Sequence, residues 1–244
     1  MHPIIFMLCF FFASSCSPKS PPLSPVEQQQ AFDFFAKHLS AIGGAQSLQQ
    51  RQSLSFTGTV RDVGSEVAHE YHLQRKAPNL YYIRINRSGI GIFERGFDGT
   101  TFWERTPRGS SLLSAEEQQQ LQPLIDFYYD INFRQWYHTI ERYQQAEFAG
   151  QLCDVVDAIN HLGQKERLFF AQESGLKIGV VRSPDTEQET IVRYGHYVDQ
   201  NGTLIPLSTE EKRSDVHRIW MIETFTWEHT DVDFSPPPAL REQR

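Results

Sequence analysis

Two hydrophobic periods divide the chain. Ala31, Phe34, Phe35, His38, Leu39 and Ile42 recur at spacings of three and four, which predicts an amphipathic helix with one apolar face. Ser24-Pro25-Val26-Glu27 opens it as a capping box with proline at the first helical position. Gly43-Gly44 closes it, because glycine takes the left-handed C′ conformation readily. From Ser53 the period becomes two: "SLSFTGTVRD" alternates Leu54, Phe56, Gly58 and Val60, and "EVAHEYHLQRK" and "NLYYIRIN" continue as strands. "FDGTTFWER" carries Asp98-Gly99, a two-residue hairpin signal.

The strand pattern then pauses. Ser114-Ala115-Glu116-Glu117 starts a short helix, and "PLIDFYYDINFRQWYHTI" reads as a second, aromatic-rich one with Phe127, Tyr128, Ile131, Phe133 and Trp136 on it. Strands resume near Glu147, from "EFAGQLCDVVDAIN" to "HRIWMIETFTWEH", with Gly150, Gly163, Gly175 and Asn201-Gly202 at the joints. About eleven or twelve strands at short spacing predict a mainly β, antiparallel architecture. A single sheet of that size tends to curl, and the two helical segments are available to cover its concave side. Neither βαβ alternation nor a tandem repeat is present.

The N-terminus has a pattern of its own. The run Ile4–Ala13 is too short to span a bilayer, which takes roughly 20 apolar residues, but fits a signal-peptide core. Ala13-Ser14-Ser15-Cys16 resembles a lipobox, in which Cys16 becomes the acylated first mature residue. The alternative is an ordinary secretory signal that happens to contain a cysteine. The segment before the run, Met1-His2-Pro3, carries no Lys or Arg. Ser17–Pro25 is proline-rich and reads as an extended tether. The expected organisation is a signal over 1–15, a tether over 16–24, one domain over 25–236 and a tail over 237–244.

Composition narrows the function classes. The formal charge of −7 argues against nucleic acid, whose affinity is dominated by cations on phosphates. With Cys9 in the leader and Cys16 acylated, Cys153 is alone and reads as a small buried hydrophobe. The 18 Phe in a chain of 244 residues must be buried in a core or around a ligand.

Motifs for catalysis are scarce. His69 and His72 are three apart on a strand and point to opposite faces, so they cannot share one ion. No His-Glu-x-x-His, paired Cys-x-x-Cys or Gly-x-Ser-x-Gly occurs, and the glycines of "RSGIGIFERG" lack phosphate-loop spacing. Asp126 and Asp130, four apart on the expected aromatic helix, read as a solvated face. We therefore expect a binding protein with no cofactor and no metal, not an enzyme. The expected ligand cavity is aromatic, with Phe56, Tyr82, Trp103, Phe127, Tyr128, Ile131 and Trp136 as candidate lining and the second helix as a movable lid.

One family pattern runs through these pieces. "AIGGAQSLQQRQSLSFTGTVRD", "RKAPNLYYIRI", "GFDGTTFWERTP", the acidic "LSAEEQQQL" helix, "EFAGQLCDVVDAI" and "GHYVDQNGTLIPLST" follow in an order that resembles the periplasmic lipoprotein-carrier family, the LolA/LolB-like lipoprotein-sorting group. The match spans about Ala41 to Phe234, with Phe102 and Trp103 at the hairpin position and Pro206 as the late proline. The resemblance implies a half-open barrel with helices in its mouth and a cavity for acyl chains of a lipid or acylated protein. It also implies an acyl-contacting arginine, for which Arg75, Arg84 and Arg95 are candidates. Cys16 departs from a soluble shuttle and points to a membrane-anchored relative. Ser17 after the cysteine resembles outward sorting, so the expected location is the outer membrane of a double-membraned bacterium, facing the periplasm. A regulatory or scaffolding lipoprotein on the same fold, and an enzyme with scattered catalytic groups, are the competing readings.

Overall fold

The computed structural model describes residues 23–228 and 232–241. The expected leader, Cys16, the tether up to Pro22 and the last three residues of the tail lie outside them.

Among the described residues the elements run α1 (Pro25–Ala41), α2 (Gly44–Gln49), β1 (Ser53–Asp62), β2 (His69–Lys76), β3 (Leu80–Arg87), β4 (Gly91–Phe97), β5 (Phe102–Thr106), β6 (Gly109–Leu112), α3 (Ala115–Ile125), α4 (Phe133–Trp136), β7 (Tyr137–Phe148), β8 (Gln151–Asn160), β9 (Lys165–Ala171), β10 (Lys177–Arg182), β11 (Thr190–Asp199), β12 (Leu204–Lys212), β13 (His217–Thr226) and α5 (Pro238–Arg241). Both capping boxes form: the Ser24 and Ser114 hydroxyls accept from the amides of Glu27 and Glu117, and each Glu reaches back to its cap.

All thirteen strands join one antiparallel sheet in the order β6-β5-β4-β3-β2-β1-β13-β12-β11-β10-β9-β8-β7. Two meanders meet at a β1–β13 seam. The first runs outward to β6, and the second starts at the far edge with β7 and returns. The segment between β6 and β7 must therefore travel from one edge of the sheet to the other, and it does so across a face.

Cross-strand partners trace that face over the whole sheet: Phe102–Phe97–Tyr81–Arg75 in the first meander, Phe56–Phe225 at the seam, Leu168–Val180–Val192 in the second. On this inner face α1 packs Phe32 and Phe35 against Leu168, Phe170 and Val180, while α3 packs Leu121 and Ile125 against Tyr81, Phe97 and Phe102. Burying each such side chain stabilises the fold by roughly 1.5–3 kcal/mol. A smaller cluster lies on the outer face, where Phe148 stacks on Phe169 at 4.0 Å and Cys153 is fully buried.

Three local expectations are corrected. The aromatic stretch is not a second helix. α3 stops at Ile125, and Asp126 has extended dihedrals (φ −65°, ψ 105°). Its carboxylate accepts from the Tyr128 amide (2.9 Å), Asn132 Nδ2 (3.1 Å) and Trp136 Nε1 (2.9 Å). That local bonding competes with helix, and only the single turn α4 follows. The strands resume at Tyr137, not near Glu147: β7 is an edge strand with bulges against β8, so its sequence does not alternate cleanly. The Asp98 turn has four residues between Phe97 and Phe102, with Asp98 Oδ1 accepting the amides of Thr100 and Thr101.

Candidate functional site

Beneath the edge-to-edge crossover lies a cavity of about 940 Å³, at the upper end of the ~300–1,000 Å³ range of ligand sites. Its floor is the inner face of β9–β12, with Leu168, Val180, Tyr194 and Pro206; Leu121, Leu124, Phe127 and Trp136 of the crossover form its roof, and Ile42 closes one end. The turn residues Ser183, Glu187 and Gln188, with Arg213–Asp215, form the opposite rim, where Glu187 and Asp215 are exposed.

The wall is not uniformly apolar, and a bulge in β10 explains why. Lys177 faces Phe170, but Gly179, not Ile178, faces Phe169. The extra residue returns Lys177 to the inner face with Val180 and Arg182, as bulges re-aim side chains. Ile178 turns to the outer cluster instead. Gly179 is required there, because a Cβ would overlap the Phe148 ring.

Lys177 anchors a buried polar latch. Its Nζ lies 3.2 Å from Asp130 Oδ1, and its backbone N–H donates to His38 Nδ1 at 3.0 Å. The other ring nitrogen of His38 faces Asp130 Oδ1 at 3.7 Å. Burial, only partly offset by Asp130, lowers the His38 pKa to about 4, so the ring is neutral at pH 7. Burial opposes the charge of Asp130, but its basic neighbours together, Lys177 first among them, hold the carboxyl below its usual range. Burial likewise opposes the charge of Lys177, but Asp130, together with the tyrosines Tyr129, Tyr194 and Tyr197, raises its pKa above the usual lysine range. Nearby, Tyr129 and Tyr137 share a hydroxyl contact of 2.9 Å, Tyr137 donates to Glu166 Oε2 at 2.7 Å, and Asn160 donates to Glu166 Oε1 at 2.9 Å. Burial raises the Tyr129 pKa to about 12, so this phenol stays protonated. Arg75, half-buried in the wall, donates to the Asp126 carbonyl and lies over the Phe127 ring at 5.6 Å. Among the described residues its Nε–H has no hydrogen-bond partner.

The expected lining residues separate into three groups. Phe127 and Trp136 line the cavity. Tyr82 and Trp103 lie on the outer face and line a second pocket of about 340 Å³, where Trp103 Nε1 donates to the Phe234 carbonyl of the C-terminal segment (2.9 Å). Each is one residue away from an inner-face neighbour, Tyr81 or Phe102, and a one-residue step on a strand changes face. Phe56, Tyr128 and Ile131 line neither pocket. Phe56 packs on Tyr71 and Phe225 at the seam, and the Tyr128 hydroxyl donates to the Arg51 carbonyl at 3.0 Å. Of the arginine candidates, Arg75 lines the cavity; Arg84 lies beside Glu94 on the outer face, and Arg95 pairs with Glu104 at 3.0 Å.

Asp126 and Asp130 form no solvated face: the first ties the crossover turn and the second is half-buried and paired with Lys177. Sequence reasoning also passed over Lys177, His38, Arg182 and Glu166. The available signal was "LKIGVV", where a lysine interrupts an apolar strand next to a glycine. Among the described residues no cluster of three or more His, Cys, Asp or Glu could hold a metal ion, and no helix is long and apolar enough to cross a membrane.

No protein-family model and no curated protein matches the chain by sequence. Solved structures do match. A DUF1329 family protein from Desulfovibrio piger superposes with a TM-score of 0.57 at 8% identity, over 85% of this chain and 94% of that one. A LolA superfamily protein from Nitrosomonas europaea gives 0.56 at 14% identity, over 82% and 94%. LprF from Mycobacterium bovis gives 0.30 at 8% identity, over 87% and 99%. The chain thus has the LolA-like fold expected from its sequence, an open antiparallel sheet with helical segments on its inner face.

Proposed function

We propose that this chain is an anchored cell-envelope lipoprotein that binds an acyl chain in the inner-face cavity and acts in lipid or lipoprotein transport or sorting. The observation that carries the reading is the roofed cavity, whose apolar wall of Leu168, Val180, Leu121, Leu124 and Phe127 lies under a latched crossover. The LolA-like fold supports it. Burying a chain of about twelve methylenes at ~0.8 kcal/mol each would gross roughly 10 kcal/mol. Part of that offsets the displacement of roof side chains, which suits a site that loads and unloads. In this reading Cys16 carries the lipid anchor and holds the domain on the outer membrane, facing the periplasm.

The role is binding and not catalysis. His38 is buried and lowered to about 4, and Asp130 is held ionised below its usual range. Both lie far from the near-neutral values that general acid–base work favours.

The test is titration with dansyl-undecanoate. The wild type should bind, Thr190→Trp and Leu204→Trp should block the two ends of the cavity, and Thr57→Trp on the exposed outer face should bind like the wild type. No binding by the wild type, or equal binding by all four, would remove the cavity reading and leave the scaffolding role.

A further inference from the structure

The cavity has one cation that the protein leaves bare. Arg182 ends β10 on the inner face, next to the turn rim. Its direct cross-strand partners are Glu166 on β9 and Thr190 on β11. An Arg–Glu pair in that register would ordinarily close an ion pair. Here it does not, because both Glu166 oxygens are turned away to Tyr137 and Asn160. Among the described residues the Arg182 side chain makes no hydrogen bond and no ion pair. The other cavity cations are engaged: Lys177 by Asp130, Arg213 by Asp215 at 2.6 Å, and Arg75 by the Asp126 carbonyl. Tyr194 lines the same cavity, and its hydroxyl also makes no hydrogen bond among the described residues.

We propose that Arg182, with the Tyr194 hydroxyl, is a headgroup site for an amphiphile whose acyl chain lies along Val180 and Leu168 and whose head is a carboxylate or phosphate. The inference rests on the cavity reading above and names its ligand class. Val180 is one inner-face step from Arg182, about 7 Å along the strand, so an anion on the guanidinium delivers its chain directly onto apolar wall. A guanidinium presents a planar fork of donors that matches both carboxylate and phosphate. Arg182 is water-accessible, so leaving it without a protein partner costs little. Glu187 on the rim is exposed, so solvent screens its repulsion.

The test compares amphiphiles of one chain length below their micelle-forming concentrations: dodecanoate, dodecyl phosphate and uncharged dodecyl maltoside, titrated calorimetrically into the full-length protein. The wild type should prefer the two anions by about 10- to 100-fold, the range of a hydrogen bond to a charged group. Arg182→Met should erase the preference while leaving maltoside binding unchanged, and Arg182→Lys should keep part of it. Dihexanoylphosphatidate against dodecanoate distinguishes a phospholipid head from a free acid. The same preference in wild type and Arg182→Met overturns the inference and leaves the cavity reading intact. No binding of any of these amphiphiles overturns both.

Discussion

Acid should loosen this fold through one imidazole. His38 accepts the Lys177 amide at Nδ1 and is buried beside Asp130, so a second proton must both charge a desolvated ring and displace that hydrogen bond. The folded-state pKa of about 4 lies below the 6.5 of an ordinary exposed imidazole. The unfolded chain therefore binds the proton more readily, and the stabilisation is complete above about pH 6.5 and lost as pH falls towards 4. A shift of that size is linked to ~3 kcal/mol in full, of which ~2 kcal/mol is lost between pH 7.5 and pH 5. Urea unfolding at the two pH values measures it. His72 is also lowered by burial and contributes with the same sign, so the decisive comparison is with His38→Asn, which keeps an acceptor near the Nδ1 position and cannot titrate. Its loss between pH 7.5 and 5 should be smaller than that of the wild type by about 2 kcal/mol. Parallel pH profiles for the two proteins would refute the assignment of a neutral, buried His38.

Lys177→Met should destabilise by about 1–3 kcal/mol, less than for a fully interior pair, because the Asp130 carboxylate it leaves unpaired keeps a third of its side chain exposed. Adding Asp130→Asn should recover part of the loss in urea midpoint, and simple additivity of the two substitutions would show that the pair is not coupled. Cys16→Ser should release the protein from membranes or leave it unprocessed; wild-type-like partitioning, with no acyl adduct on the mature wild-type N-terminus by mass spectrometry, would count against the anchor.

The parts of the structure that were legible in the sequence are those that local chemistry decides. Ser24 and Ser114 mark their helices because a hydroxyl and a Glu three residues on satisfy backbone groups within one turn. Period two marks strands such as β1, with Leu54, Phe56 and Val60 on one face, whereas β9 and β10 are buried on both faces and read as apolar runs. The candidate site was less legible because it depends on register. Nothing in "LKIGVVR" announces that an extra residue returns Lys177 to the inner face, and a pairing shift against β9 decides it. Tyr82 and Trp103 are as aromatic as Tyr81 and Phe102, so composition cannot say which of each pair faces the helices. The aromatic stretch is not a helix for a reason present in the sequence. Asp126 can serve as a turn acceptor for Tyr128, Asn132 and Trp136, and that polar set outweighs a helical spacing of rings.

The β1–β13 seam sets the order in which this molecule can be finished. It pairs Ser55 with Thr226, so the sheet's central hydrogen bonds join the first strand made to the last. Such a pairing has high contact order and forms late. A chain delivered N-terminus first across a membrane would present β1, with one bare edge, for the whole time needed to deliver the second meander. During that interval the bare edge is a template for any passing strand. Truncation anywhere in β13 should therefore produce aggregation at the centre of the sheet and not fraying at its rim.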